Sequence, residues 1–141
     1  MEMLGLISDG ELFAVDVSLV AKVARCIPYT PVPALPDAVA GIASMKGGII
    51  TLISLSALLC RTESAPGTNA VIFKAMTNGN DQMGLLVDNP ESLISIDVED
   101  IRPPYHSEDG ECVSFISGLV EVGEKLYRII DIDLLTKRLI G

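Results

Sequence analysis

Few residues in this sequence could do chemistry, and none stands beside the partner that the chemistry would need. His106 is the only histidine. Acid–base or nucleophilic work by a histidine requires a nucleophile or a metal within reach. No Cys-His or His-x-x-His spacing supplies one, and the polar stretch 103–110 reads as a solvated loop. Cys26, Cys60 and Cys112 are odd in number and far apart, with no C-x-x-C pair. They read as free thiols. Asp88, Asp97, Glu99 and Asp100 gather carboxylates without calcium-loop spacing, which describes a solvated face. Gly47-Gly48 is not followed by Lys-Ser/Thr, so it is a hairpin turn and not a phosphate loop. No catalytic, cofactor-binding or metal-binding residue is expected, and the chain is not expected to be an enzyme.

What remains are residues suited to contact. Asp16 and Asp88 close two matched apolar runs, Ala14-Val15-Asp16 and Leu86-Val87-Asp88. They can cap strand ends or face a partner. Lys46, beside Gly47, is an exposed turn cation or a groove contact. Val20, Val23, Ile42 and Met45 belong partly to a core. If a groove exists, their aliphatic strip could accept an amphipathic helix.

The elements that would position these residues are mostly strands. Gly, Pro, Asn and Asp punctuate the chain closely, at Asp9-Gly10, Gly47-Gly48, Asn78-Gly79, Pro103-Pro104 and Gly123 among others. Between them lie short apolar or alternating runs, read as strands at 3–7, 12–17, 39–46, 49–54, 70–76, 82–88, 93–97, 114–121 and 125–131. Ser18 could cap a short helical turn carrying Leu19, Val20 and Val23. Asp131 or Asp133 could cap a final helix over about 133–140, with Lys137 and Arg138 near its C-terminus, where cations suit the dipole.

One segment occurs twice. Residues 41–55 lie without a gap over residues 118–132, an offset of 77. Ile42, Ala43, Met45, Ile49, Ile50, Leu52, Ile53 and Leu55 all meet apolar partners. Both copies run on into a leucine pair, Leu58-Leu59 and Leu134-Leu135. Each copy reads as a hairpin feeding a capped helical turn. The expected organisation is one domain over residues 1–141. Its subdomains are expected at about 11–60 and 69–135, joined by the small polar connector 61–68. Such a duplication suggests two similar half-barrels sharing one core, and a surface between them.

Composition sets the bounds. With 49% hydrophobic and only 4% aromatic residues, the core must be aliphatic. A net charge of −9 argues against nucleic acid and against an anionic membrane surface. No run of about 18 apolar residues occurs, so no membrane insertion is expected. The start, Met1-Glu2-Met3-Leu4-Gly5, has no signal-peptide layout, and a cytoplasmic location is expected.

The ordered set of these segments resembles the CheW family of bacterial chemotaxis coupling proteins. The likeness runs from Glu11–Asp16 through Val20-x-x-Val23, Thr30–Pro33, Gly41–Gly47 and Ile50–Leu55. It continues through Gly84–Asp88, Ile101–Pro104, Ile116–Gly118 and Ile130–Leu135. The resemblance implies an all-β fold: two intertwined five-stranded SH3-like barrels with a shared core and a short C-terminal helix. It implies a non-enzymatic adaptor that binds the regulatory domain of a CheA-type histidine kinase and the cytoplasmic tip of a chemoreceptor. The receptor would lie in a groove formed by Val20, Lys22, Val23, Ile42, Met45, Lys46, Gly47, Val87 and Asp88. The family usually carries an acid where this chain has Lys22 and an arginine where it has Lys46. Two lysines cannot make that acid–arginine pair, and lysine lacks the bidentate fork. Three other readings stay open: a paralogue serving a non-chemotactic kinase, a small β-barrel ligand carrier, and a homo-oligomer formed through edge strands.

Overall fold

The structure is a computed structural model that describes residues 1–31, 38–45, 48–61, 67–74, 82–104 and 114–140; the side chains of residues 45 and 138–140 are outside the description. Among the described residues the chain forms ten strands and two α-helices. The strands are β1 (Glu2–Ser8), β2 (Glu11–Asp16), β3 (Val20–Ala24), β4 (Val39–Met45), β5 (Gly48–Ser54), β6 (Asn69–Phe73), β7 (Gln82–Val87), β8 (Asn89–Ser95), β9 (Ile116–Val122) and β10 (Lys125–Ile130). The helices are α1 (Leu55–Leu58) and α2 (Ile132–Ile140). The strands make two five-stranded sheets, ordered β8-β1-β2-β10-β9 and β3-β6-β7-β5-β4.

The repeated segment folds the same way twice. Ile42 pairs with Thr51 and Leu119 with Arg128; Ala43 pairs with Ile50 and Val120 with Tyr127. Both hairpins carry the same irregularity near their open end. The register shifts between Val39 and Gly41 in one and beside Ile130, partnered by Ile116, in the other. Bulges at equivalent places bend both hairpins alike. Each hairpin then enters a helix, α1 after β5 and α2 after β10. Ser54 Oγ accepts from the N–H of Ala57 at 3.3 Å. Asp131 Oδ1 accepts from the N–H groups of Asp133 and Leu134 at 2.9 and 3.1 Å. Of the two expected caps for the last helix, Asp131 is the one that acts.

The sheets match strand for strand. β3 corresponds to β8, β6 to β1, β7 to β2, β5 to β10 and β4 to β9. In both, the central contact is parallel, β5 with β7 and β10 with β2. The expected halves 11–60 and 69–135 therefore do not coincide with the sheets. The first half supplies β2 to one sheet and β3, β4 and β5 to the other; the second supplies β6 and β7 to one and β8, β9 and β10 to the other. Each repeat gives its first hairpin to the other repeat's sheet. The two halves of the chain are intertwined by this exchange.

Three apolar clusters follow from the arrangement. One fills the first sheet with Met3, Ala14, Ile94, Ile96, Val120, Tyr127 and Ile129. Another fills the second with Ala43, Ile50, Leu52, Ala70, Ile72 and Leu86. The largest lies between the sheets and draws on both, with Leu6, Phe13 and Val15 against Ile53, Val71, Phe73, Leu85 and Val87. Leu55 and Leu58 of α1 enter it, as do their counterparts 77 residues later, Ile132 and Leu135 of α2. Alternation along the strands explains how one sheet serves two cores, since successive side chains face opposite sides.

Other expectations need correction. Residues 20–24 are a strand, not part of a helical turn; the turn before them is a 3-10 turn over Val17–Leu19, capped by Asp16 and not by Ser18. Asp16 Oδ1 accepts from Ser18 N–H at 3.0 Å and from Ser18 Oγ at 2.8 Å. The strand expected at 93–97 begins at Asn89 and contains Pro90, which an outer strand tolerates because it needs fewer donors. Cys60 is disulfide-bonded, whereas Cys26 is a free, exposed thiol. His106, Cys112, Lys46 and Gly47 lie outside the described residues.

Candidate functional site: the seam and the outer strands

Two like sheets share a cluster along a seam, and the residues singled out for contact distribute between that seam and the two outer strands of the second sheet, β3 and β4. Val20 packs against the cluster between the sheets. Val23, two pairings further along β3, is 37% exposed. Lys22 is exposed beside it. Ile42 lies half-buried in β4, the outer strand at the other edge of the same sheet. The chain leaving β3 returns to that edge, where Thr30 and Ile42 exchange backbone hydrogen bonds of 2.8 and 2.9 Å. Met45 ends β4, paired with Gly48. Val87 is fully buried in the seam cluster, so it supports the seam from inside and does not line an open groove.

Asp88 is placed by β7 at the junction of the sheets. Its Oδ2 accepts from the N–H of Asp9 at 2.9 Å, across 79 residues of chain. Its own N–H donates to Ile7 O at 3.0 Å. Asp9 sits at φ 53° and Gly10 at φ 77°, in the two-residue turn that joins β1 to β2. Such a turn requires positive φ at both positions. Arg61, where the connector begins, pairs with Asp9 at 3.5 Å and with Glu11 at 2.5 Å. Glu11 also meets Arg128 at 3.3 Å, and Arg128 lies 6.0 Å over the Phe13 ring. These groups are about one-third exposed, and each such pair contributes roughly 0–1 kcal/mol. Their work is to fix Arg61 against the β1–β2 turn. Asp16 and Asp88 both hold backbone groups.

The strongest electrostatic cluster lies elsewhere, in the first sheet. Glu91 of β8 accepts from Tyr127 Oη at 2.6 Å, Lys125 Nζ at 2.8 Å and Ser92 Oγ at 2.9 Å. The hydrogen bonds from Lys125 and Tyr127 hold the Glu91 carboxyl down at about 2. Glu91 in turn raises the Lys125 ammonium, and burial together with Glu91 raises the Tyr127 hydroxyl. Three donors satisfy one carboxylate, which leaves it a structural tie and a poor base.

Open clefts flank the sheets. One, of about 300 Å³, is lined by Met1, Met3, Asp16, Leu19, Ile101 and Asp131 among others. Another, of about 180 Å³, lies among Asp97, Asp100 and Glu121. No group of three or more His, Cys, Asp or Glu among the described residues could hold a metal ion. No helix among them is long and apolar enough to cross a membrane. Arg25 and Lys74, which sequence reading did not single out, are exposed at opposite ends of β3. Lys74 donates its N–H to Leu19 O just before β3, a neighbourhood set by the pairing of β3 with β6 of which linear spacing gave no sign.

Comparison with known proteins agrees with this architecture. The model of the CheW-like domain matches residues 2–139. The chemotaxis protein CheW of Rhizobium meliloti (strain 1021) is 27% identical over 122 residues, covering 86% of this chain and 77% of that protein. The chemotaxis protein CheW of Helicobacter pylori (strain ATCC 700392 / 26695) is 26% identical over 140 residues, covering 98% and 82%. Among solved structures, the scaffolding protein TtCheW from Thermoanaerobacter tengcongensis superposes with a TM-score of 0.79 at 23% identity, covering 93% of this chain and 84% of that one. That likeness is one of fold.

Proposed function

The chain belongs to the CheW-like family, and from that premise we propose that it is a non-enzymatic adaptor of chemotaxis signalling, coupling the cytoplasmic tip of a chemoreceptor to the regulatory domain of a CheA-type histidine kinase. The observation that carries the reading is the family match across residues 2–139. The architecture is in keeping with it. Two like sheets locked by a common core make a rigid body, and a rigid body can hold two proteins in fixed relative geometry. A movement of one partner then favours one arrangement of the other through a coupling free energy, with no bond made or broken.

In this reading the receptor contact uses β3 and the β4–β5 segment, with Val20, Lys22, Val23, Ile42, Met45, Lys46 and Gly47, and with Asp88. Contacts of ordinary size bury about 800 Å² per partner, and micromolar binding corresponds to roughly −8 kcal/mol. Isothermal titration of the purified chain with a kinase regulatory domain, and separately with a receptor-tip fragment, tests the reading. Binding to each is expected. Lys46→Glu should weaken the receptor fragment by about 1–2 kcal/mol, the scale of a charge-assisted contact, and leave the kinase domain unaffected. Unchanged receptor affinity would remove Lys46 from the contact; absence of binding to both partners would refute the adaptor role.

A further inference from the structure

Helix α1 is followed by a cysteine at a place that favours glycine. Leu59 N–H donates to Leu55 O at 3.1 Å, Cys60 N–H to Ala57 O at 3.0 Å and Arg61 N–H to Ser56 O at 2.9 Å, which closes the helix. Cys60 stands at φ 62°, in the left-handed region. Helix ends of this kind favour glycine there, because a Cβ disfavours that backbone. The copied module does without the thiol, since Lys137 stands 77 positions later. Nothing in the hairpin-and-helix module therefore calls for a cysteine at this place.

Cys60 is exposed and disulfide-bonded. Cys26 is exposed and free. The chain holds one other cysteine, Cys112, which lies outside the described residues, so the cysteine count alone names it as the partner. In sequence Cys112 stands four positions before β9. A bond between the two spans 52 positions of chain. It joins the segment that leaves the duplicated hairpin of the second sheet to the segment that enters the duplicated hairpin of the first. The next residue, Arg61, is the one held at the β1–β2 turn by Asp9 and Glu11.

The ordinary use of a disulfide is to staple a weak core. This chain has little need of one, because 141 residues with three apolar clusters hold a core of their own. Exposed disulfides, unlike buried structural ones, are the labile kind. The adaptor reading also puts the chain in a reducing compartment, where disulfides that form are mostly transient or redox-sensing. We propose that Cys60 and Cys112 are a reversible redox pair, with small disulfides of the glutathione class as oxidant and the matching thiol as reductant. The thiolate of one cysteine attacks a sulfur of oxidised glutathione; that S–S bond breaks and one glutathione leaves. The thiolate of the other attacks the protein sulfur of the mixed disulfide, and the second glutathione leaves. Two electrons pass from the cysteines to glutathione, and the two cysteine protons end on the two glutathione thiols released. The oxidised chain then carries a covalent tie between its sheets, whereas the reduced chain relies on their common cluster. The proposal rests on the adaptor reading for its compartment alone.

The test is peptide mapping of the whole chain after equilibration in glutathione buffers, acid quenching and maleimide labelling. In excess oxidised glutathione the digest should contain Cys60 bonded to Cys112. In excess reduced glutathione, added to the folded chain, both should appear as separate labelled peptides, and a return to the oxidised buffer should restore the bond. The oxidised chain should melt roughly 10 °C above the reduced one, since the bond closes a long loop in the unfolded chain. Cys60→Ser and Cys112→Ser should each melt at a temperature that no longer responds to glutathione. A bond to Cys26, a bond that persists in reduced glutathione, or none in oxidised glutathione overturns the proposal. So does a parent chain whose melting is indifferent to the buffer. None of these readouts needs a kinase or a receptor. A chain that shows the reversible pair but binds neither fragment refutes the adaptor reading alone. A chain that binds both fragments but shows no reversible pair refutes the redox proposal alone.

Discussion

Tyr127 is 1% exposed inside the first sheet, yet its hydroxyl reaches a carboxylate, Glu91, whose side chain is only 13% exposed. Gly5 makes this possible. A Cβ at that position of β1 would stand 2.6 Å from Glu91 Oε2 and 3.1 Å from Tyr127 Cε1. The missing side chain lets Glu91 from the outer strand β8 meet Tyr127 from β10 over β1. Glu91 is held at about 2, below the 4.5 of an unperturbed glutamate. A carboxylate depressed in this way contributes stability above about pH 4.5 that is lost as the pH falls toward 2. Glu91→Gln should therefore be less stable than the parent at neutral pH, and urea titrations at falling pH should show the gap narrowing between about pH 4.5 and 2. A gap independent of pH would contradict the assignment. Little at this scale was legible beforehand. Glu91 and Tyr127 are 36 residues apart, and Lys74 reaches Leu19 only because β3 pairs with β6. Composition and spacing along a chain say nothing of contacts made by strand pairing.

Gly41 and Gly118 occupy the same place in the two copied hairpins, beside the bulge. A Cβ on Gly41 would meet Tyr29 Cδ2 at 2.7 Å and the backbone of Thr30; one on Gly118 would meet Ile101 Cγ2 at 2.6 Å and Arg102 O at 3.0 Å. At both sites the obstructing segment is the one that bridges to the hairpin, Thr30 to Ile42 and Arg102 to Leu119. Gly41→Val should thus cost about 1–3 kcal/mol of overpacking or more, read as a lower urea midpoint. Full stability in that variant would show that the bridge is dispensable. Leu52 is fully buried in the second sheet's cluster, so Leu52→Asp places an unpaired charge in the core. That variant should show no cooperative melt by circular dichroism. The strands of both hairpins and the following helices were legible, because duplication repeats the apolar pattern and the structure keeps one register for both copies. β3 was not. Its burial runs intermediate, three exposed, intermediate, so it lacks the alternation of a half-buried strand, and Leu19, Val20 and Val23 mimic a helical face.

At the scale of the molecule, duplication of sequence did not reveal exchange of strands. A repeat announces two similar units; it does not say whether each completes itself or borrows from the other. Here β1 and β2 lie with β8, β9 and β10, so neither half of the chain holds a five-stranded sheet. Separately produced fragments 1–64 and 65–141 should each fail to melt cooperatively as monomers, and an equimolar mixture should regain β structure by circular dichroism. Independent folding of either fragment as a monomer would contradict the exchanged topology. The exchange also bears on the proposed role, since a body whose two sheets cannot part is suited to fixing two partners relative to each other. The most direct measurement of that role is analytical ultracentrifugation of the chain with a kinase regulatory domain and a receptor-tip fragment together. The account predicts one sedimenting species that contains all three components and is absent when the chain is left out. Competition between kinase and receptor fragments for the chain, with only two-component complexes formed, would contradict it.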